Sequence, residues 1–443
     1  MGIFASLNRQ QKEAVGLLQI GTFLEYFDLM LYVHMAVLLN ELFFPKTDPH
    51  TAALLSAFAF CSTYALRPFG ALLFGWVGDT IGRKSTVILT TMMMAVSCLI
   101  MASLPTYSQI GITAAWIVTL CRVMQGISSM GEVVGAQIYL TEIIKPPTQY
   151  RVIAIIPIAL SLGCLFALAI ATLVTTSGFD WRNAFWIGAS IAVVGSLART
   201  RLRETPEFLN MKERQAKKAI EIEKSHFKLN KKNLIRYFLI DCSSPVFFYF
   251  TYIYCGTLMK NLFNYTPAEI IRQNMFVGFI DLLMCCIWLV FLISKPFPIK
   301  ILKVEFFCIF PFVLFCPYIL SSIETPLQLF LIQSWCTCFC LGKMASASVF
   351  IKHFPVSRRF TFLSFSFALS RAIIYVITAF GLVYLTENLG YYGLWVIMPP
   401  IALGFIFSVS HFEKLEKQQH YQIHNKLSTK SNEVISMPIQ KVG

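Results

Sequence analysis

The sequence predicts an all-α membrane protein with twelve transmembrane helices arranged as two six-helix bundles. Of its 443 residues, 56% are hydrophobic and only 14% are charged. Because a soluble domain usually carries about 25% charged residues, most of this chain cannot face water. The mean hydropathy of +0.64 indicates the same class of protein.

Twelve apolar stretches have about the length that a helix needs to cross a bilayer. They fall near residues 15–40, 52–77, 86–104, 110–131, 152–176, 184–200, 234–258, 273–294, 304–322, 326–350, 361–386 and 392–411. One long polar insertion separates the sixth stretch from the seventh. The predicted organisation is a bundle at 1–200, a linker at 201–233, a second bundle at 234–412 and a tail at 413–443. Two bundles with a solute site between them are typical of secondary transporters.

The positive charge follows a topological pattern. The net charge is +14, and most of the 37 Lys and Arg residues lie in the two ends of the chain, in alternate loops and in the stretch 199–236. Short cytoplasmic loops keep Lys and Arg because these residues resist translocation. We therefore expect a multi-pass protein of the inner membrane with both termini and the linker in the cytoplasm. A nucleic-acid partner is not needed to explain the basicity. The first apolar run is too long for a cleavable signal peptide and contains two acids.

The 13 cysteines are expected to be small buried hydrophobic residues. Cys336, Cys338 and Cys340 are spaced by two residues, which would spread their thiols around a helix instead of converging them on a metal ion. No glycine-rich phosphate loop occurs in the sequence. We expect no metal, nucleotide or other cofactor.

Ionisable residues at membrane depth are the strongest site candidates, because each costs several kcal/mol unless it is paired or hydrated. In the first bundle they are Glu25 and Asp28 on one face of the first span, Arg67 in the second span, and Arg122, Gln125 and Glu132 along the fourth span. They predict a buried network that faces an aqueous cavity. The alternative is that these groups only pair with one another and fix the helix packing.

The second bundle offers fewer candidates. Asp281 in the eighth span and Arg371 in the eleventh lie deepest. They would either compensate each other or bind a zwitterion. Asp241 and Lys343 lie near predicted span ends, from which their side chains would reach the membrane surface.

The most specific motif is the loop GWVGDTIGRKS at 75–85. It contains glycines where two helices would approach closely, and an acid and bases placed to form alternative ion pairs at a cytoplasmic gate. The candidate gating residues are Gly75, Asp79, Gly82, Arg83 and Lys84.

This loop resembles the signature between spans two and three of the major facilitator superfamily. Other segments resemble its metabolite:proton symporter family, which includes proline/betaine, citrate, 2-oxoglutarate and shikimate transporters. These segments are GTFLEYFDLMLYVHMA, ALRPFGALLFGWVGDTIGRK, CRVMQGISSMGEVVGAQIYLTE, DWRNAFWIG, RLRETPEFL and HFPVSRRFT. Together they cover most of the first bundle and scattered parts of the second, and they are most similar to the proline/betaine members.

The resemblance implies a major facilitator fold of two pseudo-symmetric bundles and a transporter, not an enzyme. Its partners would be a small solute, protons and the lipid bilayer, and it would act as a monomer. Glu25, Asp28, Arg122, Gln125 and Glu132 match positions where coupling and solute binding are expected. The second bundle should contain a loop that corresponds to the gating loop, after the eighth span. In this sequence that loop departs from the family pattern, with Lys295 in place of an acid and Pro298 in place of a glycine.

The expected function is proton-coupled uptake of a small polar solute, either a proline/betaine-type osmolyte or an organic acid. One carboxylate among Glu25, Asp28 and Glu132 would take a proton from outside and release it inside. Two alternatives stay open. The chain would be a membrane sensor or interaction protein that kept the fold and lost transport, or it would export its solute.

Overall fold

The structure is a computed structural model that describes residues 6–44, 64–129, 133–178, 180–218, 230–295, 297–342 and 346–435. Within these residues the regular secondary structure is helical, without a strand. Six helical stretches of this part are long and apolar enough to cross a membrane. Several other predicted spans correspond to shorter helices.

The helices of the N-terminal half, which runs to Lys218, are α1 (Arg9–Phe43), α2 (Arg67–Thr80), α3 (Arg83–Ser103), α4 (Tyr107–Ile110), α5 (Ile112–Ser128), α6 (Val133–Ile143), α7 (Thr148–Ile153), α8 (Ile155–Ser177), α9 (Trp181–Arg199) and α10 (Pro206–Lys218). Those of the C-terminal half, which begins at Lys231, are α11 (Lys231–Phe248), α12 (Cys255–Phe263), α13 (Pro267–Ser294), α14 (Pro298–Ser321), α15 (Pro326–Cys338), α16 (Ala347–Ile351), α17 (Arg359–Val376), α18 (Val383–Leu389) and α19 (Leu394–Ile435).

One predicted element differs from the structure. The tenth span is not one helix, because α15 ends at Cys338 and α16 begins only at Ala347. Cys340 therefore lies in non-helical chain, and the prediction that it shares a helix with Cys336 was wrong. The last helix, α19, is 42 residues long and continues from the membrane segment into the polar tail.

Small residues bring the helices of the N-terminal half together. Gly163 of α8 lies against the backbone of α1, where an added Cβ would be 3.1 Å from the amide nitrogen of Phe27. Gly188 of α9 faces α3, where an added Cβ would be 3.7 Å from the sulfur of Cys98. Close backbone approach at small residues is how helices pack in a bilayer.

The outer surface is apolar. Large side chains such as Phe69 (68%), Trp116 (69%) and Phe307 (67%) are exposed, whereas Arg83, Arg199 and Glu25 are buried. Soluble monomers rarely expose such extensive apolar surface. This distribution is that of a protein surrounded by lipid.

The two halves meet along two seams. Helix α2 packs against α17, where a Cβ on Gly75 would lie 2.6 Å from the Cα of Thr361. Helix α8 packs against α13, where a Cβ on Gly278 would lie 3.2 Å from the side chain of Leu165. Both seams continue to the end of the bundle where α2 turns into α3, which we call the gate end. The halves are therefore in contact at the gate end.

Candidate functional site

Asp79 links the two halves at the gate end. It lies in the last turn of α2, and its carboxylate accepts hydrogen bonds from the backbone N–H groups of Phe360 (3.1 Å) and Thr361 (2.9 Å) and from the Thr361 hydroxyl (2.7 Å). These N–H groups belong to the first turn of α17, which has no side-chain cap of its own. Because the start of a helix attracts anions, Asp79 caps α17 from the opposite half.

Arg83 continues this link. Its guanidinium pairs with Asp79 at 2.8 Å and also donates to the carbonyl oxygens of Gly78 in its own half and Val356 in the other half, the latter at 2.7 Å. The Arg83 side chain is fully buried. A buried guanidinium with several acceptors is held in one orientation, so Arg83 fixes the loop against the C-terminal half.

Three further acids and one further arginine surround Asp79 and Arg83. We call these six residues the gate cluster, namely Asp79, Arg83, Glu142, Glu204, Glu207 and Arg359. Glu142 of α6 lies 3.4 Å from Arg83 and 3.0 Å from Arg359, and Arg359 also pairs with Glu207 at 2.7 Å. Glu204 accepts from the backbone N–H groups of Arg83 (3.0 Å) and Lys84 (3.2 Å). An added Cβ on Gly82 would collide with the Glu204 carboxylate. Only glycine fits there while that carboxylate caps α3.

A second polar cluster lies inside the N-terminal half. Asp28 of α1 is 2% exposed, and its carboxylate lies 3.8 Å from the guanidinium of Arg122 on α5. Gln125 donates to Asp28 at 2.9 Å and accepts from Arg122 at 2.7 Å. The Cys98 thiol faces the same carboxylate at 3.4 Å, and the Arg122 guanidinium lies 3.8 Å from the ring centre of Tyr32. Asp28 and Arg122 thus neutralise each other away from water.

A central cavity of about 200 Å³ lies between the two halves. Helices from both halves line it, and among its lining residues are two guanidiniums, those of Arg67 and Arg371, and two carboxylates, those of Asp281 and Glu305. Its aromatic lining residues are Tyr26, Tyr64, Phe247, Phe248, Tyr252, Trp288 and Tyr375. A cavity of this size with both charge signs suits a small polar solute.

The guanidiniums of the cavity rest on aromatic rings. Arg67 lies 4.5 Å from the ring centre of Tyr64, and Arg371 lies 3.4 Å from that of Phe367. The rings of Tyr64 and Tyr375 pack at 4.2 Å across the interface between the halves. Stacked guanidiniums keep their planar N–H groups available for a carboxylate.

Asp281 has a partner on the opposite half. Its carboxylate accepts a hydrogen bond from the hydroxyl of Ser161 on α8. The described residues include no ion pair between Asp281 and Arg371, so these two share the cavity without a direct contact. Asp241 differs from expectation, because it is 3% exposed and accepts from Ser366 at 3.1 Å. The prediction that it reaches the membrane surface was wrong.

The candidate residues therefore divide among three places. Arg67, Asp281 and Arg371 line the cavity; Asp28, Arg122 and Gln125 form the buried cluster; Gly75, Asp79, Gly82, Arg83 and Lys84 lie at the gate end. Glu25 is buried, at 2% exposed, on the same helix as Asp28. Glu132 and Lys343 lie outside the described residues.

Sequence reasoning missed Glu305 and most of the gate cluster. Glu305 is the second residue of the predicted span 304–322, a position that suggested a helix end and not a cavity wall. Arg83 has two acidic partners from distant parts of the chain. Glu142 lies 59 residues and Glu204 lies 121 residues after it in the sequence. Their segments were noted in the sequence, but local spacing carries no signal of such a contact. Five cysteines also line the cavity, namely Cys164, Cys285, Cys336, Cys338 and Cys340.

Comparison with known families decides the fold. The sequence profile of the Major Facilitator Superfamily matches residues 18–375. The chain belongs to the major facilitator superfamily. This membership confirms the predicted fold class and the family resemblance. The matched proteins are described as transporters and not as enzymes.

Curated relatives of this superfamily member match about half of the chain. The inner membrane metabolite transport protein YhjE of Escherichia coli (strain K12) is 34% identical over 228 residues, which cover 49% of this chain and 51% of the relative. A proline/betaine transporter of Salmonella typhimurium (strain LT2) is 31% identical over 208 residues, which cover 44% of this chain and 41% of the relative. The match thus spans about half the length of these relatives.

Solved structures of the superfamily match nearly the whole chain. The proton:xylose symporter XylE bound to 6-bromo-6-deoxy-D-glucose has a TM-score of 0.74 at 14% identity, over 91% of this chain and 95% of that one. The human organic anion transporter MFSD10 has a TM-score of 0.68 at 15% identity, over 91% of this chain and all of that one. At these identities the likeness establishes the fold alone.

Proposed function

We propose that this protein is a secondary active transporter that takes up a small polar solute together with protons by alternating access. The observation that carries the proposal is the central cavity, which lies between the two halves and receives charged side chains from both. In such transporters the solute site lies between two bundles that rock against each other. The gate cluster supports the same mechanism, because its contacts join the halves at one end.

The solute would carry a carboxylate. Arg67 and Arg371 contribute two guanidiniums to the cavity, and a planar guanidinium matches a carboxylate with two parallel hydrogen bonds. The tyrosines, Phe248 and Trp288 of the cavity would suit an ammonium group through cation–π contact. A proline/betaine-type zwitterion and an organic acid are both compatible with this lining, and relatives named proline/betaine transporters favour the first.

Proton coupling would run through Asp28. Its only described counter-charge within ion-pair distance is Arg122 at 3.8 Å. A proton that arrives from outside would remove the negative charge, release Arg122 from the pair and let the first bundle move. Deprotonation toward the cytoplasm would restore the pair. Glu25 and Glu132 remain the other candidate carriers.

The proposed setting is the inner membrane, with a monomer surrounded by lipid. Residues 1–200 and 234–412 would form the two bundles. The linker 201–233, the tail from 413 and both termini would lie in the cytoplasm, as the distribution of Lys and Arg indicates. The gate end would then be cytoplasmic, and the structure would represent the state in which the cytoplasmic exit is closed.

A second candidate function is a membrane sensor that kept the fold without transport. Lys295 and Pro298 favour it, because they replace the acid and the glycine expected in the second-half gating loop. A solute exporter is a further alternative, although the fifth span lacks a Gly-x-x-x-Gly-Pro pattern.

Uptake into proteoliposomes tests the proposal. The full chain would be assayed with radiolabelled proline, glycine betaine, citrate, 2-oxoglutarate and shikimate, with and without an inward pH gradient. We expect at least one of them to accumulate only with the gradient. Binding of a solute without any flux would favour the sensor, and flux outward along with proton entry would favour the exporter.

The two guanidiniums give a matched test of the solute site. Arg67→Lys and Arg371→Lys keep the positive charge but lose the planar guanidinium with its two parallel N–H donors. Each should weaken the apparent affinity for the solute by about tenfold, or roughly 1.4 kcal/mol. Arg236→Lys is the control, because Arg236 stacks on Phe407 outside the cavity. If all three substitutions weakened the apparent affinity equally, the cavity would not be the solute site.

A further inference from the structure

Glu305 is a buried carboxylate that the proposed cycle does not use. It lies on α14, is 7% exposed and lines the central cavity. Gly342, in the chain after α15, lines the same cavity. The Oε2 atom of Glu305 is buried and has no hydrogen-bond partner among the described residues.

Within the part of the chain that is described, Glu305 forms no ion pair. The two guanidiniums of the same cavity, Arg67 and Arg371, rest on Tyr64 and on Phe367 instead. From α13, Asp281 and Cys285 face the same region, and Cys340 approaches from the non-helical chain after α15. The nearest Lys on its own helix, Lys303, pairs with Glu413 at 2.6 Å instead. An ionised carboxylate buried without a counter-charge is strongly disfavoured, whereas the neutral acid is tolerated.

Glu305 also lies at a different depth from the other cavity charges. Asp281 precedes the end of α13 at Ser294 by 13 residues, which is about 20 Å from the gate end. Glu305 follows the start of α14 at Pro298 by seven residues, which is about 10 Å. It is therefore placed between the level of Asp281 and the gate end.

We propose that Glu305 is a second proton-carrying carboxylate of the transport cycle, on the half of the molecule opposite to Asp28. The proton adds to the carboxylate from cavity water while the gate is closed. When the gate opens, α8 separates from α13, the Ser161–Asp281 hydrogen bond breaks and water reaches α14. The hydrated carboxylate then ionises, and the same proton leaves to the cytoplasm. This inference rests on the proposed transport function.

Infrared spectroscopy of the full chain in lipid tests the protonation state without a solute. At neutral pH the wild type should show a carboxylic-acid C=O band that Glu305→Gln lacks. The control Glu324→Gln, in the loop between α14 and α15, should retain the band, and Glu305→Asp should shift it. Wild-type and Glu305→Gln spectra without a difference in this band would overturn the inference, because Glu305 would then be ionised.

The proton-to-solute ratio tests the role in the cycle. Proteoliposomes loaded with proline or glycine betaine would be held at a series of pH gradients until net flux vanishes. We expect the ratio to fall by about half in Glu305→Gln and to stay unchanged in Glu324→Gln. An unchanged ratio in Glu305→Gln would overturn the role of Glu305 while uptake by the wild type stands. Absence of wild-type flux for all five solutes of the uptake assay would instead overturn the proposed function, and with it the role of Glu305 in the cycle.

Discussion

The carboxylate of Asp79 accepts two hydrogen bonds from Thr361, one from its backbone N–H at 2.9 Å and one from its hydroxyl at 2.7 Å. The two residues are 282 positions apart and belong to different halves. Asp79 thereby supplies the missing N-cap of α17 from α2. A charged cap that crosses the interface stabilises only the state in which the gate end is closed, and in the proposed transport cycle it would be broken each time the gate opens.

The first prediction concerns this cap. Asp79→Asn removes the negative charge from the start of α17, and Arg83→Ala removes the cation that holds Asp79 and Val356 together. A lost cap of this kind weakens the closed state by about 1–2 kcal/mol. The return to the closed state should then limit the cycle, so turnover should fall roughly tenfold while the solute affinity changes less than twofold. The measurement is the initial uptake rate over a range of solute concentrations.

Asp180→Asn is the control for the cap. Asp180 is also an N-cap, but it accepts from the backbone N–H of Arg182 in the first turn of α9, the helix that follows it in the same half. It should leave turnover near the wild-type value. If Asp79→Asn reduced solute affinity as much as turnover, Asp79 would belong to the solute site and the gating role would be wrong.

The second prediction concerns the close approach of α2 and α17. Gly75→Ala places a Cβ 2.6 Å from the Cα of Thr361, and backbone cannot move aside as a side chain can. Overpacking of this kind costs about 1–3 kcal/mol, so the closed gate should become less populated. Fluorophores introduced as unnatural amino acids at Thr80 and Arg358 should report a larger mean distance.

Gly16→Ala serves as the comparison, since an added Cβ there meets nothing within 4 Å. It should leave the distance between the labels unchanged. A wild-type distance in Gly75→Ala would mean that the seam adapts, and that the glycine is not required for closure.

Only one side of the gate could be predicted from sequence. The loop at 75–85 combines glycines, an acid and bases at short spacing, so it was predicted to be a gate from the local sequence alone. Its partner Thr361 carries no charge and acts mainly through the N–H of a helix start. Thr361 ends the segment HFPVSRRFT, which was noted for its family resemblance, but nothing in that segment indicates a contact with Asp79. Contacts across two halves depend on packing that residue spacing does not contain.

The cavity shows the same limit. Arg67, Asp281 and Arg371 were predicted because a charge in the middle of an apolar stretch is conspicuous. Asp241 was misjudged and Glu305 was missed, because both lie in the first turns of a predicted span. There, hydropathy alone cannot distinguish a side chain that reaches water from one that points into the protein.

The third prediction concerns topology. Reporter fusions at Lys217, in the linker, and at Asn425, in the tail, should both report the cytoplasm, because Lys and Arg accumulate around these positions. A fusion at Lys260, which follows the seventh predicted span, should report the opposite side. An external location of either Lys217 or Asn425 would contradict the twelve-span count.

The last prediction concerns proton coupling through Asp28. Asp28→Asn imitates the permanently protonated state, because the amide is neutral and still reaches Gln125. Arg122 then loses its counter-charge but keeps Gln125 at 2.7 Å and the ring of Tyr32 at 3.8 Å. We expect this variant to lose accumulation driven by a pH gradient, by about tenfold or more, and to retain exchange of solute at equal concentrations within about twofold. Radiolabel accumulation and counterflow in the same proteoliposomes measure the two activities.

Parallel variants decide which carboxylate carries this proton. Glu25→Gln and Glu132→Gln test the other candidates of the first bundle, and Cys98→Ala tests whether a mere change in the packing around Asp28 has the same effect. Asp28 has a counter-charge that protonation would release, whereas Cys98 has none. Asp28→Asn should therefore lose accumulation and retain exchange, and Cys98→Ala should not have this effect. If all three acid variants kept gradient-driven accumulation, the coupling site would lie outside the first bundle, and the cavity acids Asp281 and Glu305 would be the residues to test next.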